Sequence, residues 1–179
     1  MYDEYLAVIW YSPALVEGMS LNERQPDHFL LSDEYESIAS FRGFGGDATQ
    51  IYTAIKSGMN NNSHTDLDVG DFVLEALGER WITEMGSDNY NLPGYSSRLE
   101  DSKRWTYYRK RAEGQNTLVV KPGTSGGQAF DAKCQIISYE SAYDGGYAVV
   151  DMLDAYDNYG VTQSKRALAL FDNRSRVLL

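Results

Sequence analysis

The chain carries the stretch His64-Thr65-Asp66-Leu67-Asp68-Val69-Gly70-Asp71-Phe72 directly after the polar run Asn60-Asn61-Asn62-Ser63. If the stretch is extended, the side chains of His64, Asp66 and Asp68 point to one face, because strand side chains alternate. An imidazole beside two carboxylates is suited to general acid/base catalysis or to metal binding. The alternative is an Asx-rich turn between two strands with a solvated histidine, since Asn and Asp are common in turns.

On both sides of this stretch the pattern is that of short strands, each bounded by Gly, Pro, Asn, Asp or Ser. A hairpin is predicted with Gly78-Glu79 at its tip. Around ten short strands at this spacing favour an all-β fold, a two-sheet antiparallel β-sandwich, over alternating strands and helices. The predicted strands are 28–31, 35–42, 49–56, 72–77, 80–85, 117–121, 132–139, 147–152, 164–171 and 175–179.

Two segments depart from the strand pattern. Residues 3–12 are predicted as a short helix, because Leu6, Ile9 and Trp10 have helical spacing and Pro13 ends the segment. Residues 100–111 are charged and aromatic without alternation, and they are interpreted as a loop with one helical turn.

Length and charge limit the function classes. A chain of 179 residues fits one domain with a core of its own. The single cysteine, Cys134, excludes a disulfide framework, and the net charge of −10 argues against a nucleic-acid partner. No apolar run approaches the length of a membrane span, and no secretory signal begins the sequence. The 14 tyrosines suit strands and also suit sugar-binding surfaces.

A series of motifs, in order, resembles the C-terminal β-sandwich of the heparinase II/III-like polysaccharide lyases. The resemblance runs from about residue 30 to the end of the chain. Its motifs are His64-Thr65-Asp66-Leu67-Asp68-Val69-Gly70-Asp71-Phe72, Gly78-Glu79-Arg80-Trp81, Gly86-Ser87-Asp88-Asn89-Tyr90, Leu92-Pro93-Gly94-Tyr95, Arg104-Trp105-Thr106-Tyr107-Tyr108-Arg109 and Ala112-Glu113-Gly114-Gln115-Asn116-Thr117-Leu118.

The resemblance implies a two-part enzyme, in which a helical toroid precedes the sandwich and an acidic polysaccharide lies between the two. Residues 1–20 are then expected to be a remnant helix and linker from a missing upstream domain. Residues 21–179 are expected to be the sandwich, truncated at its C-terminus. Members of the family cleave uronic-acid-containing glycans by β-elimination. The resemblance of this sequence to the family therefore implies the same activity for the parent protein and a secreted or periplasmic location.

Carried over from the family, His64 is the predicted catalytic residue, as proton acceptor or as stabiliser of the substrate carboxylate. Arg104 and Arg109 are predicted to bind substrate, because arginine holds carboxylate or sulfate in a bidentate fork. Their alternative is a solvated charged loop. The tyrosines predicted to contact sugar are Tyr90, Tyr95 and Tyr107, with burial in the core as the alternative for at least one tyrosine.

The chain departs from the family at three polar positions that can bind zinc in other members. Asp66, Glu84 and Gln115 stand there instead. All three offer oxygen, which suits Ca²⁺ or Mg²⁺ better than Zn²⁺. A polar cluster without zinc is expected, holding no metal or a hard cation.

Two function classes remain open from the sequence. One is the sandwich half of a lyase, inactive as an isolated fragment. The other is a non-catalytic carbohydrate-binding or scaffold module that kept the family's shape. The three altered polar positions favour the second class, and the retained His64 favours the first.

Overall fold

The structure is a computed structural model, and it describes residues 27–32, 36–45, 49–123 and 125–179. Within these residues nine strands form two antiparallel sheets, with several short 3-10 turns between them. The predicted all-β sandwich is therefore confirmed. The helix predicted at residues 3–12 and the boundary at residue 20 lie outside the described residues.

Each sheet follows the order of the chain, and all neighbouring strands are antiparallel. The strands of the first sheet are β1 (His28–Ser32), β2 (Glu36–Arg42), β3 (Tyr52–Gly58), β4 (Phe72–Ala76) and β5 (Glu79–Ile82). The strands of the second sheet are β6 (Gln135–Ala142), β7 (Gly145–Asp151), β8 (Lys165–Phe171) and β9 (Arg176–Leu178).

The hydrophobic core combines side chains from both sheets. Phe41 of β2 and Ile55 of β3 pack in one cluster with Val150 of β7 and Leu168 of β8, and all four are at most 1% exposed. Because strand side chains alternate, only one face of each strand supplies this cluster. Burial of that apolar surface is the main term that stabilises the sandwich.

Two local predictions are wrong. The hairpin tip is Leu77-Gly78 rather than Gly78-Glu79, and both tip residues have positive φ, 59° and 82°. Two successive positive φ angles are typical of the type I′ turn, whose twist matches the flanking strands. Residues 117–121 form no strand; instead, the Tyr156 hydroxyl donates to the carbonyl of Leu118 at 2.7 Å.

The loop predicted at residues 100–111 contains more helical structure than expected. Three 3-10 turns follow one another, at Lys103–Thr106, Tyr108–Lys110 and Ala112–Gly114. Trp105 and Ala112 pack on Leu67 in a second, small apolar cluster. This cluster attaches the turns to the segment that contains His64, outside the main core.

A buried ion pair joins the two sheets at one end of the sandwich. Arg174, between β8 and β9, donates Nη1 and Nη2 to the two carboxylate oxygens of Asp27 at 2.9 and 2.8 Å. The same guanidinium donates to the carbonyls of Arg42 and Gly145 at 3.0 and 2.9 Å, and through Nε to that of Tyr143. The two side chains are 0% and 1% exposed, so this pair belongs to the interior of the fold.

Candidate functional site

A cleft of about 680 Å³ lies beside the first sheet. Side chains of β2, β3 and β4 form one wall, and the segments around residues 63–71, 84–98 and 104–110 form the rest. The volume lies in the range of ligand-binding clefts. Six of the nine residues predicted for the site line it: His64, Asp66, Glu84, Tyr90, Tyr95 and Arg104.

The segment that carries His64 is a turn, which is the alternative that the sequence left open, so the period-two argument for an extended segment does not apply. Ser63 and His64 form the turn, and His64 has a φ of 65°. Thr65 fixes the turn, because its hydroxyl donates to the carbonyl of Asn60 at 2.6 Å and accepts from the amide of Asn62 at 2.9 Å. Nevertheless, His64, Asp66 and Asp68 all line the cleft, with the imidazole exposed and Asp68 buried.

Two buried amides hold the segment in place. Asn60 Nδ2 donates to Gln128 Oε1 at 3.0 Å, and both side chains are 0% exposed. Gln128 in turn accepts from the amide of Val69 at 3.1 Å and donates to its carbonyl at 2.9 Å. Gly70 has a φ of 78°, and an added Cβ would lie 2.5 Å from Met152 Cε. The acidic side chains of residues 66–71 are therefore held by a rigid backbone.

Asp66 lies in a cationic environment. Lys110 Nζ donates to its Oδ1, and Arg104 Nη2 lies 4.0 Å from the same oxygen. Gln115 Nε2 approaches Oδ2 at 3.4 Å. Burial raises the pKa of Asp66 above its ordinary value, although the hydrogen bond and charge of Lys110 oppose that rise.

Asp68 pairs with a cation from the adjacent strand. Lys56 of β3 donates Nζ to Asp68 Oδ2 at 2.7 Å. Burial raises the pKa of Asp68 to about 6 despite this pairing. For Lys56, burial lowers the pKa, but the charge and hydrogen bond of Asp68 outweigh it, so the pKa lies above its ordinary value.

Asp71 faces another carboxyl instead of a cation. It is 3% exposed, its Oδ1 has no hydrogen-bond partner among the described residues, and the Glu84 carboxyl lies within hydrogen-bonding reach. Burial and Glu84 together raise the pKa of Asp71 to about 8. Two carboxyls in contact share a proton, because both cannot ionise at low cost. The cleft therefore contains a protonated carboxyl near neutral pH.

The remaining predicted residues lie around the loop at residues 83–102, named here the cleft loop. Tyr90 is 59% exposed and meets Tyr95 edge-on, with ring centroids 5.1 Å apart. Tyr107 donates its hydroxyl to the carbonyl of Pro93 at 2.8 Å. Arg109 Nη1 donates to the carbonyl of Met85 at 2.6 Å. Tyr107 and Arg109 thus contact the backbone of the cleft loop, and substrate contact by them stays a prediction.

The donor set at the predicted polar cluster does not fit zinc. Asp66 and Gln115 approach each other, whereas Glu84 lies beside Asp71. The ammonium of Lys110 already neutralises Asp66, and a second cation there would meet its repulsion. Among the described residues, no group of three or more His, Cys, Asp and Glu side chains is arranged to hold a metal ion.

Several charged residues of the cleft are not predicted as site residues from the sequence, among them Lys56, Asp71 and Arg98. Lys56 and Arg98 are isolated cations in their local sequence, and Asp71 belongs to the polar stretch at residues 64–72. Of these three residues, Asp71 is the one that the sequence could have indicated as a site residue, because it stands three residues after Asp68 in the same polar stretch. Nothing in the local pattern around Lys56 or Arg98 marks either residue.

No family model and no curated protein matches the chain. A mutant of heparan sulfate lyase HepC from Pedobacter heparinus is similar in structure, with a TM-score of 0.58 and 15% identity over 79% of this chain and 20% of that one. Heparinase III is similar with a TM-score of 0.60 and 18% identity, over 86% of this chain and 22% of that one.

The chain thus spans about a fifth of the length of each of these two lyases. The structural similarity shows a shared fold, and sequence identities this low say nothing about the activity of this chain. No helix within the described residues is long and apolar enough to cross a bilayer. The β-sandwich of this chain has the fold of one part of these heparinase-like lyases, which confirms the resemblance identified from its sequence motifs.

Proposed function

We propose that this chain is the sandwich part of a polysaccharide lyase that cleaves uronic-acid-containing glycans, of heparan sulfate or alginate type, by β-elimination. The observation that carries the proposal is the exposed His64 imidazole at a cleft of about 680 Å³ that several charged side chains line. The fold shared with heparan sulfate lyase and heparinase III supports it.

The reaction makes three demands on a site. The C5 proton of the uronate is weakly acidic, so the neighbouring carboxylate must first be neutralised. A base must then remove that proton, and the oxygen that leaves C4 must receive one. An imidazole meets the second demand, or stabilises the carboxylate, and His64 has no ion-pair partner among the described residues that would occupy it.

The rest of the machinery would come from a helical toroid preceding the sandwich, as in the family. Residues 1–179 alone are then expected to show no turnover, because placing groups from both halves around the substrate supplies much of the rate. A secreted or periplasmic location is part of the same proposal, since an enzyme of polysaccharide meets its substrate outside the cytoplasm.

The experiment is an assay of the full-length parent protein for the unsaturated uronate product, by its ultraviolet absorbance. We expect His64→Ala to lower kcat by about 10²- to 10⁴-fold, the usual contribution of a general acid or base. The matched control is His28→Ala, because His28 is the protein's other histidine and lies exposed on β1, away from the cleft lining. Product formation at an unchanged rate by His64→Ala would contradict the role of His64.

A second candidate function is a carbohydrate-binding or scaffold module without catalysis. The observation that favours it is the pairing inside the cleft, where Lys110 and Lys56 neutralise Asp66 and Asp68 and are not free to meet a substrate. Glycan binding by the parent protein without any unsaturated product would support this candidate over the lyase.

A further inference from the structure

We infer that Arg98 is the residue that binds the carboxylate of a uronic acid in the cleft. This inference rests on the proposed function and adds the charge character of the ligand. It follows from the state of every cation that lines the cleft in the described part of the chain, which are Lys56, Arg98, Arg104 and Lys110.

Both lysines are already neutralised by carboxylates of the protein. Lys56 Nζ lies 2.7 Å from Asp68 Oδ2, and Lys110 Nζ contacts Asp66 Oδ1. Lys110 is 5% exposed and also lies over the ring of Tyr95, 4.8 Å from its centroid. A ligand carboxylate would have to displace a buried partner to reach either ammonium, which would leave that partner unpaired.

Arg104 is committed to the protein backbone. Its guanidinium Nη2 donates to the carbonyl of Thr65, and the residue is 3% exposed. Its plane lies over Trp105, with Cζ 4.9 Å from the ring. Arg104 therefore lies in the wall of the cleft and supports the turn next to His64.

Arg98 is the remaining cation of this set. Its side chain is exposed and has no hydrogen bond or ion pair to any described residue. It lies close enough to Arg104 to contribute, after burial, to holding the pKa of that guanidinium below its ordinary value. Arg98 thus adds an exposed positive charge to the wall of the cleft that contains Arg104.

The backbone on both sides of Arg98 is anchored, although its side chain is free. On one side, Tyr95 is 4% exposed and its hydroxyl accepts from the amide of Asp88 at 2.9 Å. On the other side, Trp105 Nε1 donates to the carbonyl of Leu99 at 2.9 Å. A guanidinium presented from a fixed backbone loses less entropy when it binds, which favours recognition.

Groups suited to a sugar ring surround this position. The ring of Tyr90 is exposed at the cleft, and an aromatic ring packs on the apolar face of a sugar. Ser87 and Ser96 add hydroxyls to the lining. One unpaired cation matches one carboxylate per bound sugar, because each additional sulfate would need its own positive partner. The ligand is therefore a uronic acid glycan with few sulfates.

The test is calorimetric titration of the chain with an alginate tetrasaccharide, with the same tetrasaccharide after reduction of its carboxyls, and with glucose 6-sulfate. For the native tetrasaccharide we expect Arg98→Ala to weaken binding about tenfold or more, the usual effect of losing a charge-assisted hydrogen bond. Binding of the carboxyl-reduced form should not change. Arg98→Lys should restore part of the affinity, because lysine keeps the charge without the bidentate fork.

The matched control is Arg80→Ala, since Arg80 is exposed on β5, pairs with Glu75 and does not line the cleft. Equal binding of the native tetrasaccharide by wild type and Arg98→Ala would overturn the inference, and so would the absence of any binding by wild type. Tighter binding of glucose 6-sulfate than of the uronate would overturn its carboxylate specificity. If binding depends on Arg98 but the parent forms no unsaturated product, the lyase proposal fails and the inference about Arg98 stands.

Discussion

Two groups of buried charges lie in this sandwich, one between the sheets and one in the cleft. In the first, every nitrogen of the Arg174 guanidinium donates to a carboxylate or carbonyl oxygen, and the partner Asp27 is 1% exposed. In the second, Lys110 pairs with Asp66 and Lys56 pairs with Asp68, whereas Asp71 faces the carboxyl of Glu84. Asp71 Oδ1 has no hydrogen bond among the described residues.

The difference also appears in how the two groups titrate. For Asp27, burial raises the pKa, but hydrogen bonds from Arg174, Ser141 and the Arg42 amide outweigh it, so the pKa lies below its ordinary value. For Asp68 and Asp71, burial dominates and the pKa lies above its ordinary value, at about 6 and about 8. A fully satisfied pair stabilises the fold, whereas a crowded, incompletely satisfied group at an open cleft has the features of a functional site.

The largest expected effect separates the two groups by stability. Arg174→Ala removes a guanidinium that has no exposed surface and leaves the Asp27 carboxylate buried and unpaired. We expect a loss of about 3–5 kcal/mol in the free energy of unfolding, the usual result of breaking a buried pair. Urea denaturation measures it.

The control for that variant is Arg176, two residues further along the chain at the start of β9. Arg176 pairs with Asp172, but their side chains are 70% and 51% exposed. Arg176→Ala should therefore change the free energy of unfolding by no more than about 0.5 kcal/mol. Equal effects of Arg174→Ala and Arg176→Ala would show that the pair between the sheets is not the structural element described above.

The second prediction uses the opposite pH dependence of the two groups. The folded state holds a proton on Asp71 more tightly than the unfolded chain does, since its pKa rises from 3.8 to about 8. Its stabilising contribution is therefore complete below about pH 3.8 and is lost as the pH rises from there to about 8, at up to about 1.4 kcal/mol per pH unit. Asp27 acts in the other direction, because its lowered pKa makes its contribution disappear as the pH falls.

Asp71→Asn is the variant that isolates the first of these slopes. The amide keeps the size of the side chain and cannot lose a proton, so the decline in stability as the pH rises from about 4 to about 8 should become shallower. Denaturation at a series of pH values measures the slope, and Glu79→Gln provides an exposed carboxyl for comparison. An unchanged slope between about pH 4 and 8 in Asp71→Asn would mean that the Asp71–Glu84 pair does not share a proton.

A smaller effect is expected from the cation next to Asp66. Lys110→Met keeps the packing on Tyr95 but removes the ammonium that contacts Asp66. The loss at neutral pH should be about 1–3 kcal/mol, the cost of a buried polar group without its partner. It should shrink at acid pH, since protonated Asp66 needs no cation, and its pKa is already raised by burial. A loss that does not change with pH would argue against this pairing.

The sandwich was predictable from sequence because alternation and turn residues are local signals, and each of the nine observed strands overlaps a predicted one. The convergence of His64, Asp66 and Asp68 was predicted correctly for a wrong reason, since a turn with a positive φ at His64 brings them to one cleft. The site, in contrast, depends on contacts between residues that are far apart in the sequence. Arg104 and Thr65, for example, meet across 39 residues.

Arg109 illustrates why such contacts escape a local reading. It was predicted to bind substrate because arginine holds carboxylate or sulfate in a bidentate fork. In the structure its guanidinium donates to the carbonyls of Met85 and Ser87 at 2.6 and 3.0 Å. Loop carbonyls need donors just as substrates do, and sequence alone does not distinguish these two uses of an arginine.

The smallest expected effect concerns zinc, and it tests whether the acidic side chains of the cleft form a metal-binding site. Adding Zn²⁺ should shift Tm by less than about 1 °C, because a metal that binds the folded state weakly adds little stability. Lys110 already neutralises Asp66, and Glu84 lies with Asp71 instead of with Gln115. Mg²⁺ and Ca²⁺ serve as comparisons, since oxygen donors prefer them. A crystal soaked with zinc that held a full-occupancy tetrahedral ion on Asp66, Glu84 and Gln115 would contradict this prediction. It would also mean that the Lys110 side chain moves away from Asp66. The charged side chains of the cleft would then be more mobile than the Asp27–Arg174 pair, in addition to being less completely hydrogen-bonded.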